Sequence, residues 1–296
     1  MDPQRADELA RVYRDGLLED VVPFWLRHGV DEQHGGYMTA VDREGNVIDT
    51  DKSVWFQGRF AWLLSHMCNV VERRDEWLDA ARSGIEFLRE YCFDKDGRMF
   101  FTVTREGQPL RKRRYVFSEL FAVIANAAFA KAAGDERACD DASGLLQSAI
   151  ELSQHELEPK TNQTTRPSRG FGVPMMLLNV AGVVRDCIGG EHDNAAFCEE
   201  LIENCLGEMR LFLNEEHEAV MECVGPNGEF IDHFEGRTLN PGHAIEGAWF
   251  VLHEAMHRGD DPELIELGTR MLDWMWKWGW DEEHGGITYF LSLIHI

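Results

Sequence analysis

The chain has 296 residues and a formal net charge of −24, from 53 acidic against 29 basic side chains. Such an acidic protein is repelled by nucleic acid and by anionic membranes, which excludes both as non-specific partners. Because 44% of the residues are hydrophobic, the chain can bury a substantial core, and a soluble protein with a neutral ligand is expected.

Helical periodicity dominates the sequence and predicts nine helices. In chain order they span residues 4–28, 53–73, 75–92, 115–133, 136–156, 172–189, 192–213, 242–258 and 261–279. Two intervening segments, 33–49 and 94–110, carry a glycine turn between short strand-like runs and predict β-hairpins. No Pro/Ser-rich linker interrupts the pattern, so residues 1–290 are expected to form one domain.

One short sequence occurs twice. Residues 31–36 are Asp-Glu-Gln-His-Gly-Gly, and residues 281–286 are Asp-Glu-Glu-His-Gly-Gly. Each copy follows a tryptophan-containing helix and precedes an aromatic strand, which indicates a repeated unit of helix, hairpin loop and helix. Helix pairs in a ring bury a central apolar core and gather their loops at one end. A closed ring of six pairs needs twelve helices, so nine helices predict an incomplete barrel.

The strongest candidate site is the segment 240–246, Asn-Pro-Gly-His-Ala-Ile-Glu. Pro-Gly marks the start of a helix and places His243 in its first turn, beside free backbone N–H groups. This end of a helix disfavours a protonated imidazole, so we expect His243 to be neutral and able to accept a proton. Glu246 lies on the same face and is a candidate to orient the ring or to balance its charge. A capping histidine beside a solvated glutamate explains the segment about equally well.

A second candidate is the stripe formed by Lys52, Trp55 and Arg59 on a predicted helix. An aromatic face beside a guanidinium suits a sugar, because the ring stacks and the sugar oxygens accept forked hydrogen bonds. Taken alone, a core tryptophan with a surface arginine is the favoured explanation. Two further helix starts, 114–122 and 170–179, offer pocket walls, although such strings are more often plain core.

A competing motif is formed by His253, Glu254 and His257, which fit the zinc pattern H-E-x-x-H. Two histidines at i and i+4 can share a metal, with the glutamate as base. Three fixed positions are easily met by chance in a chain with twelve histidines, and no third ligand follows before the helix ends. A structural role is therefore favoured, and no metal site is expected.

Two features indicate the compartment. The first eight residues lack the basic and apolar order of a signal peptide. Seven cysteines are scattered without a Cys-x-x-Cys pair, which favours a reducing environment. A cytoplasmic protein is expected.

The candidate segments together resemble the N-acylglucosamine 2-epimerase family in order and spacing, from about Trp25 to Phe290. The resemblance implies an all-α (α/α)6 barrel with short β-hairpins in its loops, and epimerisation or isomerisation at the reducing end of a sugar. His243 matches one of the family's two catalytic histidines, and Arg59 matches the arginine that holds the substrate oxygens. The other substrate-binding residues expected are Trp55, Tyr115, Met175, Glu246 and Trp249.

The implied reaction starts from the open-chain sugar, whose C1 carbonyl acidifies the proton on C2. Neutral His243 removes that proton to give an enediolate, and Arg59 stabilises the negative charge on oxygen. A second acid/base residue then protonates the opposite face, and no metal or redox cofactor is needed. The expected function is a sugar 2-epimerase that interconverts N-acyl-D-glucosamine and N-acyl-D-mannosamine, or a related aldose. A homodimer is left open.

The chain departs from the family near its C-terminus, where the partner histidine and a closing pocket segment are expected. The resemblance fades after Phe290, and residues 291–296 are predicted to be a non-native tail, so His295 is not assigned as the partner. Three alternatives stay open. They are an aldose–ketose isomerase, a glycoside hydrolase with opposed carboxylates such as Asp232 and Glu235, and an inactive truncated fragment.

Overall fold

The computed structural model of the chain describes residues 2–112, 116–154, 166–191 and 194–294. The chain divides into two compact units, Met1–His155 and Glu156–Ile296. Every described helix of eight or more residues lies inside a predicted helix or starts one residue before it. In these described ranges, no helix is long and apolar enough to cross a membrane.

The first unit is built mainly of helices with short strands between them. Its helices are α1 (Pro3–Asp15), α2 (Val22–His28), α3 (Val54–Val70), α4 (Asp75–Tyr91), α5 (Phe117–Ala133) and α6 (Glu136–Gln154). Its strands are β1 (Ala40–Val41), β2 (Val47–Asp49), β3 (Lys52–Ser53), β4 (Phe100–Val103) and β5 (Pro109–Lys112). A π-helical turn, Gly16–Val21, separates α1 from α2 within the predicted helix 4–28. The antiparallel pairs β1–β2 and β4–β5 confirm the two predicted hairpins, and β3 adds a third strand beside β4.

Packing in the first unit follows from two kinds of helix. Helix α5 is rich in alanine and phenylalanine and is buried around almost its whole circumference, which places it on the inside. Helix α4 instead buries one face, centred on Trp77, Ile85 and Leu88, and exposes the other. The inner helices α3 and α5 pack on each other, and each also packs on the helix that follows it. The unit therefore contains two inner–outer helix pairs.

The second unit has the same plan. Its helices are α7 (Gly172–Ile188), α8 (Asn194–Met209), α9 (Phe234–Arg237), α10 (Pro241–His257) and α11 (Pro262–Gly279), with a 3₁₀ turn at Arg210–Phe212. Its strands are β6 (Arg169–Gly170), β7 (Leu213–Asn214), β8 (Ala219–Val220), β9 (Cys223–Val224), β10 (Thr238–Leu239) and β11 (Leu291–Ser292). The antiparallel pairs are β7–β8, β6–β9 and β10–β11. Helix α7 packs on α10, and these two pack on α8 and α11 respectively.

The repeated sequence forms the same loop in both units. In the first copy the N–H of Asp31 donates to Gly36 O at 3.0 Å, and that of Gly35 donates to Asp31 O at 2.8 Å. In the second copy Asp281 donates to Gly286 O at 2.9 Å, and Gly285 donates to Asp281 O at 2.8 Å. All four glycines have positive φ, which L side chains rarely adopt. The sequence repeat is therefore a structural repeat.

The first copy of this loop is anchored by a buried charge cluster. Lys52 Nζ lies 2.9 Å from Asp31 Oδ2, and both side chains are almost fully buried, at 0% and 1% exposed. Arg105 adds two hydrogen bonds of 2.9 Å to the same carboxylate. Burial would raise the pKa of Asp31, but hydrogen bonds from Arg105 and Lys52 outweigh it and lower that pKa well below its usual range. Lys52 lies in β3 and not on the helix of Trp55, so its predicted place on the helical stripe is wrong.

We expect Lys52→Met to lower the free energy of unfolding by about 3 kcal/mol at neutral pH, because it leaves a buried carboxylate with one cation fewer. The exposed Lys95→Met variant is the matched control and should change stability little. The pKa of Asp31 is lower in the folded chain than in the unfolded chain, where it is about 4. The ionised carboxylate therefore stabilises the fold above about pH 4, and this stabilisation is lost as the pH falls towards the folded-state pKa. Urea titrations should therefore show that the difference in unfolding free energy between Lys52→Met and the wild type becomes smaller below about pH 4. A difference that does not change with pH would contradict this role of the Asp31 carboxylate.

A close approach fixes helix α10 in the second unit. A Cβ atom built on Gly247 would lie 2.7 Å from Cζ of Phe171 and 3.2 Å from Cε of Met209. Phe171 cannot yield easily, because it is 1% exposed and its ring packs edge-on against Phe212 with centroids 5.4 Å apart. Only glycine lets α10 pack this closely on the residue that precedes α7.

Gly247→Ala should therefore destabilise the chain. Overpacking costs about 1–3 kcal/mol, which exceeds the ~1 kcal/mol that alanine gains over glycine in a helix. The control is Gly242→Ala in the same helix, where a Cβ meets only Asn240 Oδ1 at 3.4 Å. Thermal unfolding should show a lower midpoint for Gly247→Ala and an unchanged or higher one for Gly242→Ala. Equal midpoints would show that Phe171 moves aside freely.

Candidate active site

His243 lies in the first turn of α10, as the sequence predicts. Asn240 caps this helix, and its Oδ1 accepts a hydrogen bond from the backbone N–H of His243 at 3.2 Å. Pro241 occupies the first helical position, where its missing N–H costs nothing. The Asn-Pro-Gly sequence thus ends the extended segment and begins the helix at a defined residue. The backbone from which the imidazole projects is therefore fixed.

The imidazole of His243 is held by a residue that the motif does not contain. Its Nδ1 lies 2.9 Å from Oε1 and 3.1 Å from Oε2 of Glu222. An ionised carboxylate can only accept hydrogen bonds, so this contact suits an imidazole that carries a proton on Nδ1. Both side chains are partly exposed, His243 at 41% and Glu222 at 26%, so the pair can be reached by a small molecule.

Glu222 is itself placed by strand pairing. It lies between β8 and β9, and its backbone oxygen accepts a 3.0 Å hydrogen bond from Phe171 N–H. The next residue, Cys223, pairs with Gly170 in the β6–β9 ladder. The segment before α7 and the segment carrying Glu222 are thereby joined, and the carboxylate projects from a fixed backbone.

The pKa of His243 is shifted in the opposite direction to the prediction. The hydrogen bond to Glu222 raises the pKa of His243; burial opposes this, and the negative charges of Glu222 and Glu246 reinforce it. The prediction that the helix N-terminus keeps His243 neutral is therefore wrong in direction. Glu246 acts on the ring through its charge, which is one of the two roles expected of it, whereas Glu222 provides the hydrogen bond that orients the ring.

The other predicted site residues of the second unit lie on or beside inner helices. Glu246 is half-buried on α10, one turn after His243. Trp249 is 56% exposed, and its ring contacts those of Phe250 and His253 at centroid distances of 4.8 and 6.3 Å. Met175 is 2% exposed at the start of α7 and packs in the core. Their assignment as substrate-binding residues stays a prediction.

In the first unit the structure places Trp55 and Arg59 around one phenylalanine. The guanidinium of Arg59 lies over the ring of Phe121, 4.3 Å from its centroid, and no described residue forms an ion pair with it. Trp55 packs on the same ring at 5.6 Å and donates from Nε1 to Ser118 Oγ at 3.0 Å. Tyr115, the remaining predicted binding residue, lies outside the described residues.

Arg59 also lines a cavity of about 530 Å³ in the first unit. Aromatic and aliphatic side chains form most of its wall, among them Trp25, Tyr37, Phe56 and Phe60. An exposed guanidinium beside such rings has the chemistry that was predicted for a sugar contact.

The H-E-x-x-H motif has a structural role. Glu254 is buried and receives two hydrogen bonds from Arg185, at 3.1 and 3.0 Å, and one from Arg258 at 2.8 Å. A carboxylate so fully occupied by guanidinium groups is not free to act as a base. Within the part of the chain that the structure describes, no group of three or more His, Cys, Asp or Glu side chains could hold a metal ion.

Glu222 is the functional candidate that sequence reasoning missed. It interrupts the apolar run of residues 219–224, Ala-Val-Met-Glu-Cys-Val, and an acid in such a run is a signal that it meets a partner. The partner, His243, lies 21 residues further along the chain, and the β6–β9 pairing helps to bring the two side chains together. No short-range sequence pattern predicts this pairing.

Comparison with known proteins identifies the family. The sequence matches the N-acylglucosamine 2-epimerase (GlcNAc 2-epimerase) family over residues 35–294. It is 32% identical to the N-acylglucosamine 2-epimerase of Bos taurus over 297 residues, which cover 97% of this chain and 70% of that protein. It is 30% identical to the cellobiose 2-epimerase of Eubacterium cellulosolvens over 160 residues, covering 53% of this chain and 38% of that protein.

A solved structure gives the fold. The chain superposes on cellobiose 2-epimerase from Bacillus thermoamylovorans B4167 with a TM-score of 0.80 and 19% sequence identity, covering 97% of this chain and 76% of that one. The predicted all-α (α/α)6-barrel fold is confirmed by this match. With the sequence match along most of its length, the chain belongs to the N-acylglucosamine 2-epimerase family.

Proposed function

We propose that this chain is a sugar 2-epimerase that interconverts N-acyl-D-glucosamine and N-acyl-D-mannosamine, or a related aldose. The observation that carries the proposal is the His243–Glu222 pair at the start of α10, in a chain that is 32% identical to an N-acylglucosamine 2-epimerase over 97% of its length. A histidine that is hydrogen-bonded through one nitrogen, and whose other nitrogen is bound by none of the described residues, has the groups that proton transfer at carbon requires. The reaction moves protons only and needs no redox cofactor.

Of the two sugar classes named among the relatives, the N-acylated hexosamine has the stronger support. The likeness to the cattle enzyme extends over 97% of this chain at 32% identity. The cellobiose 2-epimerase of Eubacterium cellulosolvens matches 53% of the chain at 30% identity, and that of Bacteroides fragilis matches 84% at only 22% identity. A net charge of −24 also suits a neutral N-acyl sugar better than a phosphorylated one, because the anion would be repelled.

His243 is the proposed proton-transfer residue. The C2 proton of the open-chain sugar is acidified by the adjacent C1 carbonyl, so a well-placed imidazole can remove or return it through an enediolate. In an epimerase each acid/base group serves as base in one direction and as acid in the other, so both charge states of His243 are used. Epimerisation also requires a second such group on the opposite face of C2.

Arg59 is proposed to bind the substrate oxygens. Trp55 and Tyr115 are proposed as further substrate-binding residues. As C2 loses its proton, negative charge develops on the C1 oxygen, and a guanidinium already fixed over Phe121 can stabilise it without reorganising. Glu246, Trp249 and Met175 are proposed to line the sugar pocket.

Two other activities make different products. An aldose–ketose isomerase forms the same enediolate but returns the proton to C1, which gives a ketose. A glycoside hydrolase needs two opposed carboxylates, and its candidate Asp232 is engaged by Arg237 at 2.7 Å. The His243–Glu222 pair favours the epimerase over the hydrolase. A cytoplasmic location, a homodimer and a single barrel domain over residues 1–290 stay predictions.

His243→Gln should lower the rate of C2 inversion of N-acetylglucosamine by about 10²- to 10⁴-fold, the usual contribution of a general acid/base. The measurement is proton NMR in D2O, which follows both the second epimer and deuterium incorporation at C2. His257→Gln, at the far end of the same helix, is the control and should keep the wild-type rate.

The same assay separates the alternatives. C2-inverted product with deuterium at C2 is expected, whereas a ketose would indicate an isomerase. New reducing ends from an oligosaccharide without inversion would indicate a hydrolase. Undiminished inversion at C2 in His243→Gln would remove His243 from the mechanism, because inversion needs an acid/base group on each face.

Arg59→Met should reduce kcat/KM by about 10²- to 10³-fold, because the charge on the enediolate oxygen loses its stabilising cation. The matched control is Arg82→Met, since Arg82 also lies over a phenylalanine ring, that of Phe129 at 5.1 Å, but on the outer helix α4. Steady-state kinetics of both variants decide the point. Equal losses in the two would show that the stacked arginines act on stability alone.

A further inference from the structure

We propose that Glu222 is a positioning residue that fixes His243 as its Nδ1–H tautomer and so makes Nε2 the nitrogen that exchanges protons with the sugar. The part concerning the sugar rests on the proposed function. The tautomer itself is a property of the folded chain and can be tested without any turnover.

The assignment of the two nitrogens follows from hydrogen-bond chemistry. Both carboxylate oxygens of Glu222 lie within 3.1 Å of Nδ1 of His243, and a carboxylate offers no proton. The reverse tautomer would set the lone pair of Nδ1 against two oxygens and lose the bond. In the described part of the chain, no residue hydrogen-bonds to Nε2, so that nitrogen is left for a ligand.

The orientation of the ring is determined from both sides. Asn240 fixes the backbone of His243 through the helix cap, and Glu222 fixes the tip of the side chain. Glu222 cannot drift, because its own backbone oxygen is bound by Phe171 N–H and its neighbour Cys223 is paired in β9. A ring held at its backbone and at Nδ1 can present Nε2 in one direction only, as positioning for proton transfer requires.

Charge adds to geometry in this pair. The groups that act on His243 are Glu222, from the β8–β9 segment, and Glu246, from α10 itself. Glu222 acts by hydrogen bond and by charge, and Glu246 by charge alone. Both raise the pKa of His243, so the protonated share at neutral pH is larger than for a free histidine. His243 is thereby suited to be the proton donor of the resting enzyme, and removal of Glu222 must lower its pKa.

The first test is a ¹⁵N-histidine NMR titration of the whole chain, with His243→Gln used to assign the His243 signals among those of the twelve histidines. Wild-type His243 should give the Nδ1–H pattern above its pKa. Glu222→Ala removes the acceptor and should give a mixture of tautomers. Glu222→Gln removes the charge and should lower the pKa of His243. Glu216→Gln removes a charge from an exposed residue of the same region and should leave the pKa unchanged.

The second test links the pair to turnover. The limb of the kcat/KM–pH profile that reports His243 in the free enzyme should move to lower pH in Glu222→Gln by the same amount as the NMR pKa, and Glu222→Asp should recover part of the wild-type position. A purely structural role for Glu222 would lower kcat without moving that limb. Thermal melts of each variant identify any that fail to fold, and the wild-type tautomer remains decisive on its own.

The outcomes of the two tests distinguish a failure of the inference about Glu222 from a failure of the proposed function. An Nε2–H tautomer in the wild-type chain, or the same His243 pKa in Glu222→Gln, overturns the inference about Glu222 whatever the chain catalyses. An Nδ1–H tautomer with a pKa that depends on Glu222, in a chain that leaves C2 of every hexosamine unexchanged, overturns the proposed function and leaves the positioning role of Glu222 intact.

Discussion

The close packing of helix α10 on Phe171 is the constraint on which the candidate site depends. Gly247 has no side chain where a Cβ would meet the phenylalanine ring, so the helix settles against the residue whose N–H binds Glu222. One contact therefore sets the distance between the helix that carries His243 and the strand segment that carries its carboxylate. A shift of a few tenths of an ångström in α10 would lengthen a hydrogen bond that now measures 2.9 Å.

The relative strength of two effects explains why the direction of the His243 pKa shift was wrongly predicted. The partial positive charge at a helix N-terminus disfavours a cation by about 0.3–1 kcal/mol at an exposed site. The Glu222 carboxylate hydrogen-bonds to Nδ1 directly, and this bond is the largest influence on the pKa of His243, which it raises. The helix end was visible in the sequence and the carboxylate was not, so the weaker effect was assigned and the stronger one left out.

The sequence predicts what depends on short-range pattern. The helix spacing, the hairpins at 33–49 and 94–110, the start of α10 and the repeated glycine loop all follow from residues a few positions apart. What it does not predict depends on pairing between distant segments. Lys52 looks like part of a helical stripe until Asp31, 21 residues earlier, is brought against it, and Glu222 looks like an isolated acid until the β6–β9 pairing brings it to His243. Glu222 is a polar exception in an apolar run, which marks it as paired but does not name the partner, whereas Lys52 lies in the polar run Asp-Thr-Asp-Lys-Ser and carries no such mark.

The partners of its guanidinium group distinguish Arg59 from other arginines of this acidic chain. With 53 carboxylates for 29 cations, a guanidinium readily finds an acid, as Arg105 and Arg185 do. Arg59 lies instead over the face of Phe121, with no described carboxylate in ion-pair range. Stacking leaves its edge N–H donors unused, whereas an ion pair would occupy them and neutralise the charge. A cation without a carboxylate partner is available to a ligand that acquires negative charge, and in the proposed epimerisation such charge arises on the enediolate oxygen.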